Sequence, residues 1–191
     1  MNVRIVFWTL TVAVMIFIVA FNARSQFKSA QNNQKEQTIE NAYVKITAPE
    51  LENKTLNEKS LKESLGENAE KVSVYGVFAR KTEYSVIYVK YGADFNLSDL
   101  CDKVISVFSA FDLQAQTNTD SNKMTVSGTF KRNNFTYGVE AALYKRGKNS
   151  WQALTVFQMS EENLKTARDF IDSIIIDPLG KLPDADAEPA K

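Results

Sequence analysis

Met124-Thr-Val-Ser-Gly-Thr-Phe-Lys131, Phe135-Thr-Tyr-Gly-Val-Glu-Ala-Ala-Leu-Tyr-Lys145 and Trp151-Gln-Ala-Leu-Thr-Val-Phe-Gln-Met159 are three β-rich runs parted only by Arg132-Asn-Asn134 and Arg146-Gly-Lys-Asn-Ser150. β-branched and aromatic residues fill the runs and turn-forming residues fill the gaps, so the stretch predicts an antiparallel meander. Apolar side chains occupy both parities of the strands, the pattern of a sheet buried on both faces. Directly afterwards Ser160 is placed to cap a helix whose Leu164, Ala167, Phe170, Ile171, Ile174 and Ile175 form one stripe, ending before Pro178. Strands followed by an amphipathic helix place the chain in the α+β class.

The reading extends backwards from there. Leu97, Leu100, Cys101, Val104, Ile105, Phe108 and Phe111 recur at helical spacing after Asn96, an N-cap, with Asp99 at the third helical position. The polar stretch from Thr117 to Lys123 reads as a connection. Val72 to Ala79 and Tyr84 to Tyr91 flank the polar Arg80-Lys-Thr-Glu83 and predict a hairpin. Thr55 with Glu58, and Leu56, Leu61 and Leu65 before Gly66, suggest a short capped helix, and Tyr43-Val-Lys-Ile-Thr47 alternates as a strand that Pro49 stops. Val74-x-Gly76-x-Phe78-x-Arg80 recurs as Val126-x-Gly128-x-Phe130-x-Arg132, through duplication or through convergence on a strand glycine.

The N-terminal part has a different character. Ile5 to Phe21 holds seventeen residues without a charge, a helix of roughly 26 Å, near the lower limit for crossing a hydrocarbon core of about 30 Å. A cleaved export signal is the competing reading, but its cleavage site would be Ala23-Arg24-Ser25, which lacks the usual pair of small residues flanking a neutral one. An uncleaved anchor is therefore favoured. Basic residues flank both ends, so positive charge does not orient it; a minimal leader followed by a whole domain is the layout of an export signal. Residues 1–24 are thus expected to be a signal-anchor helix, 25–41 a flexible tether, 42–176 the globular domain and 177–191 a disordered tail.

Composition excludes several kinds of function. The chain of 191 residues carries 23 basic and 23 acidic side chains and no histidine. Charge balance removes the electrostatic case for a nucleic-acid binder. Without histidine there is no Ser-His or Cys-His nucleophile pair, and most zinc sites are ruled out. Cys101 lies on the apolar stripe of its helix and reads as a buried, inert thiol. The seven glycines are dispersed and form no phosphate-binding loop. The acid pairs Glu161 with Glu162 and Asp169 with Asp172 fall at a helix start or on a polar face, where they need no functional reading. Candidate catalytic, cofactor-binding and metal residues are therefore none. Two features remain open for binding. The basic pairs Arg80-Lys81, Lys131-Arg132 and Lys145-Arg146 would touch anionic lipid or an acidic partner if they gathered at one edge. Tyr75, Tyr88, Tyr91, Tyr137, Tyr144 and Trp151 would mark a binding surface if exposed and a sheet core if not.

The order of elements, and most closely Phe135 to Tyr144, Trp151 to Phe157 and Ala167-Arg-Asp-Phe-Ile-Asp-Ser-Ile174, resembles the Mog1/PsbP-like α/β/α sandwich seen also in DcrB-like small bacterial envelope proteins. The resemblance covers about the last 120 residues. It implies a single antiparallel-rich sheet covered by helices and a non-catalytic accessory or assembly domain, and it assigns no functional residue. The expectation is a domain held at the inner membrane by Ile5 to Phe21, lying outside the cytoplasm and binding another envelope protein without a cofactor. A domain released to the periplasm after signal cleavage is the other location; an exported small-ligand or lipid carrier and, after it, a hydrolase are the other functions.

Overall fold

The computed structural model of the protein describes residues 33–53, 68–108, 113–120 and 122–182. The apolar segment Ile5 to Phe21, the helix expected between Thr55 and Leu65, and the last residues of the tail lie outside the described residues. Among the described residues no helix is long and apolar enough to cross a membrane.

The expected hairpin is present. β4 (Ala69–Ala79) and β5 (Thr82–Tyr91) pair from Ala79↔Thr82 outward. The turn is shorter than the four polar residues suggested: Arg80 and Lys81 alone make it, both with positive φ (45° and 64°). That is the type I′ geometry whose twist matches the strands. The meander follows as β7 (Lys123–Arg132), β8 (Phe135–Arg146) and β9 (Asn149–Gln158), with Asn133 and Asn134 making the same two-residue left-handed turn. β9 closes against β5, so the strand from the far end of the sequence joins the two hairpins.

Two further strands complete this sheet, in the order β3-β4-β5-β9-β8-β7-β6. β3 (Glu52–Asn53) is one edge. β6 (Gln114–Asp120) is the other, and it corrects the expectation of a plain connection before Lys123: all seven of its side chains are exposed, so it has no buried face to impose apolar alternation. Backbone pairing with β7, unbroken from Gln114↔Thr129 to Asp120↔Lys123, defines it instead.

Helix α1 (Leu97–Phe108) lies on one face of the sheet. Its N-cap is as expected: the Asn96 side-chain oxygen accepts from the Ser98 amide at 3.0 Å. Leu97, Leu100 and Cys101 pack on Met124, Val126, Ala141 and Leu143, and Phe108 packs on Phe130, Val139 and Val156. Helix α2 (Glu161–Asp172) lies on the opposite face, capped by the Ser160 hydroxyl, which accepts from the Asn163 amide at 3.1 Å. Its Phe170 and Ile171 meet Tyr84, Val86, Trp151 and Ala153.

A second, three-stranded sheet shares the α2 face, where one sheet was expected. β1 (Lys35–Ile39) and β10 (Ile175–Ile176) flank β2 (Val44–Ala48). Lys35–Ile39 falls within the stretch whose polar composition suggested a tether. It pairs through its backbone, and Gln37 adds side-chain bonds to the carbonyls of Ala48 and Pro49 and to the Leu51 amide. The apolar run at the end of α2 likewise stops being helical at Ser173, whose hydroxyl accepts from the Thr47 amide at 2.9 Å, and Ile175–Ile176 leave as a strand. Asp177 to Leu182, the start of the expected tail, is tied down: the Asp177 carboxylate accepts from the amides of Lys181 (2.8 Å) and Leu182 (3.0 Å), and Leu182 is buried. Among the described residues the architecture is mostly antiparallel sheet with two α-helices, one on each face.

The repeated Val-x-Gly-x-Phe-x-Arg places its residues on the α1 face in both hairpins, but out of phase with the turns. Phe78 is in the second pair from its turn (with Glu83) and Phe130 in the third (with Tyr137). The two glycines also meet different neighbours, the Tyr84 carbonyl at Gly76 and Leu113 with the Gln114 carbonyl at Gly128.

Candidate functional site

Register alone assembles the most distinctive surface of the molecule. Tyr88 pairs with Trp151, Trp151 with Tyr144, and Tyr144 with Lys123, so one row crosses β5, β9, β8 and β7 on the α2 face. On the other side Ser73 of β4 pairs with Tyr88, and Lys71, two residues along the same strand, reaches the Tyr88 ring. The row lies at the end of the sheet opposite the Arg80-Lys81 turn, beside the C-terminal end of α2, where the small sheet delivers a further aromatic ring, Tyr43, from just before β2.

The rings are in contact. Tyr43 meets Tyr88 edge-on, with centroids 5.5 Å apart and planes at 71°, and Tyr88 meets Trp151 at 5.5 Å and 39°, within the usual range of aromatic pairs. The Lys71 ammonium stands 5.8 Å from the Tyr43 centroid and 5.7 Å from that of Tyr88; Lys123 stands 5.4 Å from the Tyr144 ring. A lysine therefore bounds the aromatic row on each side. Tyr88 and Trp151 are buried, whereas Tyr43 and Tyr144 are only partly buried where they pack against the same cluster.

Each buried polar tip has a partner. The Trp151 indole N–H donates to the Ala42 carbonyl at 2.6 Å, which fixes the small sheet to the large one. The Tyr88 hydroxyl donates to the Asn149 side-chain oxygen at 2.8 Å. Burial, aided by the neighbouring Tyr43, pushes the Tyr88 hydroxyl up to about 12, and burial together with Asp172 does the same for Tyr144, also to about 12. Both phenols are therefore neutral at physiological pH, and the charge at this surface comes from the lysines together with Asp172 near Tyr144 and Asp120, the register partner of Lys123.

Tyr43 is held in an unusual conformation. Its φ is 51°, the left-handed region that costs a side chain with a Cβ about 1–2 kcal/mol. Its amide donates to the Glu40 carbonyl at 3.1 Å and its carbonyl accepts from the Asp177 amide at 2.7 Å. Asp177, also left-handed (φ 51°), in turn takes a 3.0 Å ion pair from Arg146 at the end of β8. The ring of Tyr43 thus sits where three separate stretches of chain hold it.

The other expected candidates fall elsewhere. The basic pairs do not gather at one edge: antiparallel register puts Arg80-Lys81 and Lys131-Arg132 at one end and Lys145-Arg146 at the other. Arg80 also meets Glu162 at 3.6 Å, an exposed pair. Tyr75 is buried in the core under the small sheet, Tyr91 packs on Phe95 and Tyr137 stacks on Phe130, so these three fill interior or flank positions. Cys101 is 1% exposed, and burial, with Asp102 nearby, pushes its thiol up, away from the reactive thiolate.

Glu140 is a charged residue in the interior, and the sequence did not single it out. It accepts from the Ser127 hydroxyl on one oxygen and from the Arg168 guanidinium at 3.2 Å on the other. With one donor on each oxygen it works as a clamp between β8 and α2. Among the described residues no group of three or more His, Cys, Asp or Glu is placed to hold a metal ion.

No family model matches the chain, and no curated protein matches it. Among solved structures the chain is similar to the Ran-binding protein Mog1p of Saccharomyces cerevisiae, at 10% identity over 76% of this chain and 96% of that one, with a TM-score of 0.43. It is similar to a point mutant of protein Mog1 at 11% identity over 78% and 98% of the two chains, with a TM-score of 0.45. A Pseudomonas aeruginosa protein of unknown function, PA94, is similar at 7% identity over 71% and 88%, with a TM-score of 0.36. Mog1, named by the resemblance of the closing strands and helix, is thus among the structures to which this chain is similar.

Proposed function

We propose that this chain is a membrane-tethered, non-catalytic domain outside the cytoplasm that binds another envelope protein through the aromatic row at Tyr43, Tyr88, Trp151 and Tyr144. The observation that carries the reading is the partly buried Tyr43 and Tyr144 on a fully packed aromatic base, with Lys71 and Lys123 set over the rings on either side. Rigid tyrosines contribute contact area at low entropic cost, and flanking lysines favour a segment that brings carboxylates. The apolar run from Ile5 to Phe21 and the absence of histidine support the tether and the non-catalytic role.

The test is affinity capture of the tagged full-length protein from detergent-solubilised membranes after crosslinking. The wild type is expected to enrich one envelope protein, and Lys71→Glu with Lys123→Glu to lose it while the fold persists. Recovery of the protein alone, or equal enrichment by the variant, overturns the reading. A mature chain beginning at Gln26, read by mass spectrometry, would remove the tether while leaving the binding surface in place.

A further inference from the structure

Two of the three basic turns stand at the end of the large sheet where the chain enters the domain. β1 runs from that end towards the aromatic row: Lys35 pairs with Ala48 at its start and Ile39 with Val44 at its finish, just before Tyr43. The side chain of Gln34, directly ahead of β1, donates to the Tyr84 hydroxyl at 3.5 Å, and Tyr84 is in the third pair from the Arg80-Lys81 turn. The Gln158 amide donates to the Lys81 carbonyl and the Met159 amide to that of Thr136, so the β4–β5 and β7–β8 turns stand on either side of the end of β9, about 14 Å apart. The β7–β8 hairpin reaches furthest, continuing past Thr136 to Asn133 and Asn134.

This end differs in chemistry from the other. Lys145 and Arg146, at the far end, are both engaged, with Asp94 at 2.8 Å and Asp177 at 3.0 Å. Lys81 and Lys131 are exposed, and among the described residues no carboxylate lies within ion-pair distance of either. Of the acids near these turns, Glu162 faces Arg80 and Glu50 faces Lys35, Glu83 is partly buried within β5, and Glu161 lies on the positive end of α2. Phe135, next after the β7–β8 turn, is 52% exposed.

We infer that this end is apposed to an anionic lipid surface, with Lys81 and Lys131 against the headgroups and Phe135 in the interfacial layer. The orientation rests on the tether proposed above. The eleven residues from Asn22 to Asn32 that part Phe21 from Asn33 average about 20 Å as a flexible chain and extend to about 40 Å at full stretch. β8, at 12 residues, is itself about 40 Å long. The end at which the chain enters therefore lies within easy reach of the bilayer, whereas turning the other end down would take nearly the whole tether. The aromatic row is thereby held away from the lipid, where a partner can approach it.

The test places an environment-sensitive fluorophore at Thr136→Cys or, at the opposite end, at Lys148→Cys, both exposed, with buried Cys101 as the background. Full-length protein is reconstituted into vesicles of about three parts phosphatidylcholine to one part phosphatidylglycerol, with and without a headgroup nitroxide quencher. Quenching is expected at Thr136 and not at Lys148, and it should weaken in pure phosphatidylcholine. Adding Lys81→Glu and Lys131→Glu is expected to reduce the apposed population at least about fivefold for each lysine, with an unchanged circular dichroism spectrum. Phe135→Ser should reduce quenching in both kinds of vesicle. Equal quenching at the two ends, or quenching at Thr136 that the double variant leaves unchanged, overturns the proposal. Protein that floats with the vesicles but is not quenched at Thr136 overturns the orientation and leaves the tether standing. Protein that does not float overturns the tether and the orientation with it.

Discussion

The Asp177 amide donates to the Tyr43 carbonyl at 2.7 Å, and both residues have a φ of 51°. Two left-handed non-glycine residues, 134 positions apart in the sequence, are thus bonded to each other at the margin of the aromatic row. Such conformations persist only where the surroundings over-determine them. Here the Glu40 carbonyl, the Arg146 ion pair and the Tyr88 ring do so.

Tyr43→Gly separates stability from binding. Glycine relieves the left-handed backbone by about 1 kcal/mol, and losing the ring contact with Tyr88 costs about as much. Urea denaturation should therefore find the variant within about 1 kcal/mol of wild type, while crosslinked capture of the partner is lost. Unimpaired capture would remove Tyr43 from the binding surface.

Asp177→Ala should behave differently. The carboxylate accepts from two amides and from Arg146, and it is almost fully buried. Its removal is expected to cost about 2 kcal/mol and to expose the chain around Leu182 to protease. Asp177→Asn keeps an oxygen for the amides and should lose about half as much. Equal losses in the two variants would mean that the amide bonds contribute little.

Alkaline pH should destabilise the fold. In an unfolded chain the Tyr88 and Tyr144 hydroxyls ionise near about 10; in the native protein burial carries both to about 12. Between these values the unfolded chain has released protons that the folded chain retains, so stability is complete below pH 10 and falls as the pH rises towards 12. Tyr75, Tyr84 and Tyr91, also raised by burial, act in the same direction. Denaturation midpoints measured from pH 8 upward should decline from about pH 10, less steeply in Tyr144→Phe. A flat profile to pH 11 would contradict the burial of these rings.

Gly138→Ala should be among the most damaging small substitutions. A Cβ there would run into the Phe157 ring, which crosses directly over β8 from the paired position on β9. Because Phe157 is 1% exposed, its ring has little room to move. A loss of about 2–3 kcal/mol is expected, partly recovered by adding Phe157→Leu. If the second substitution makes matters worse by its full separate cost, the clash is not what limits the first.

Much of the framework was legible in the sequence because local chemistry is sufficient to specify it. Asn96 and Ser160 cap their helices as their types and positions suggest. The β4–β5 hairpin and the β7–β8–β9 meander carry the β-branched and aromatic residues of strands buried on two faces. The strands missed were β1, β3, β6 and β10. Each is marginal in its own sheet: β1 is polar and largely exposed up to Ile39, β6 is polar and exposed, and β3 and β10 are two residues long. Such strands are held by backbone pairing with a neighbour, a term that does not depend on side-chain hydrophobicity and so leaves no periodic trace.

The aromatic row shows the same division. Its tyrosines and tryptophan were visible as an excess in strands, but whether they filled a core or formed a surface depended on which residues stood opposite one another. Register joined Tyr88, Trp151 and Tyr144 on one face and sent Tyr91 and Tyr137 to the other. Sequence by itself determined the α+β class, the main strands and helices, and the exclusion of histidine chemistry, since these follow from composition and from interactions within a few residues. Tertiary structure alone decided the small second sheet and the lysine-bounded rings, because each depends on pairing between segments distant in the sequence, such as Ile175 with Lys45 and Tyr88 with Trp151, where one residue of register moves every side chain to the opposite face.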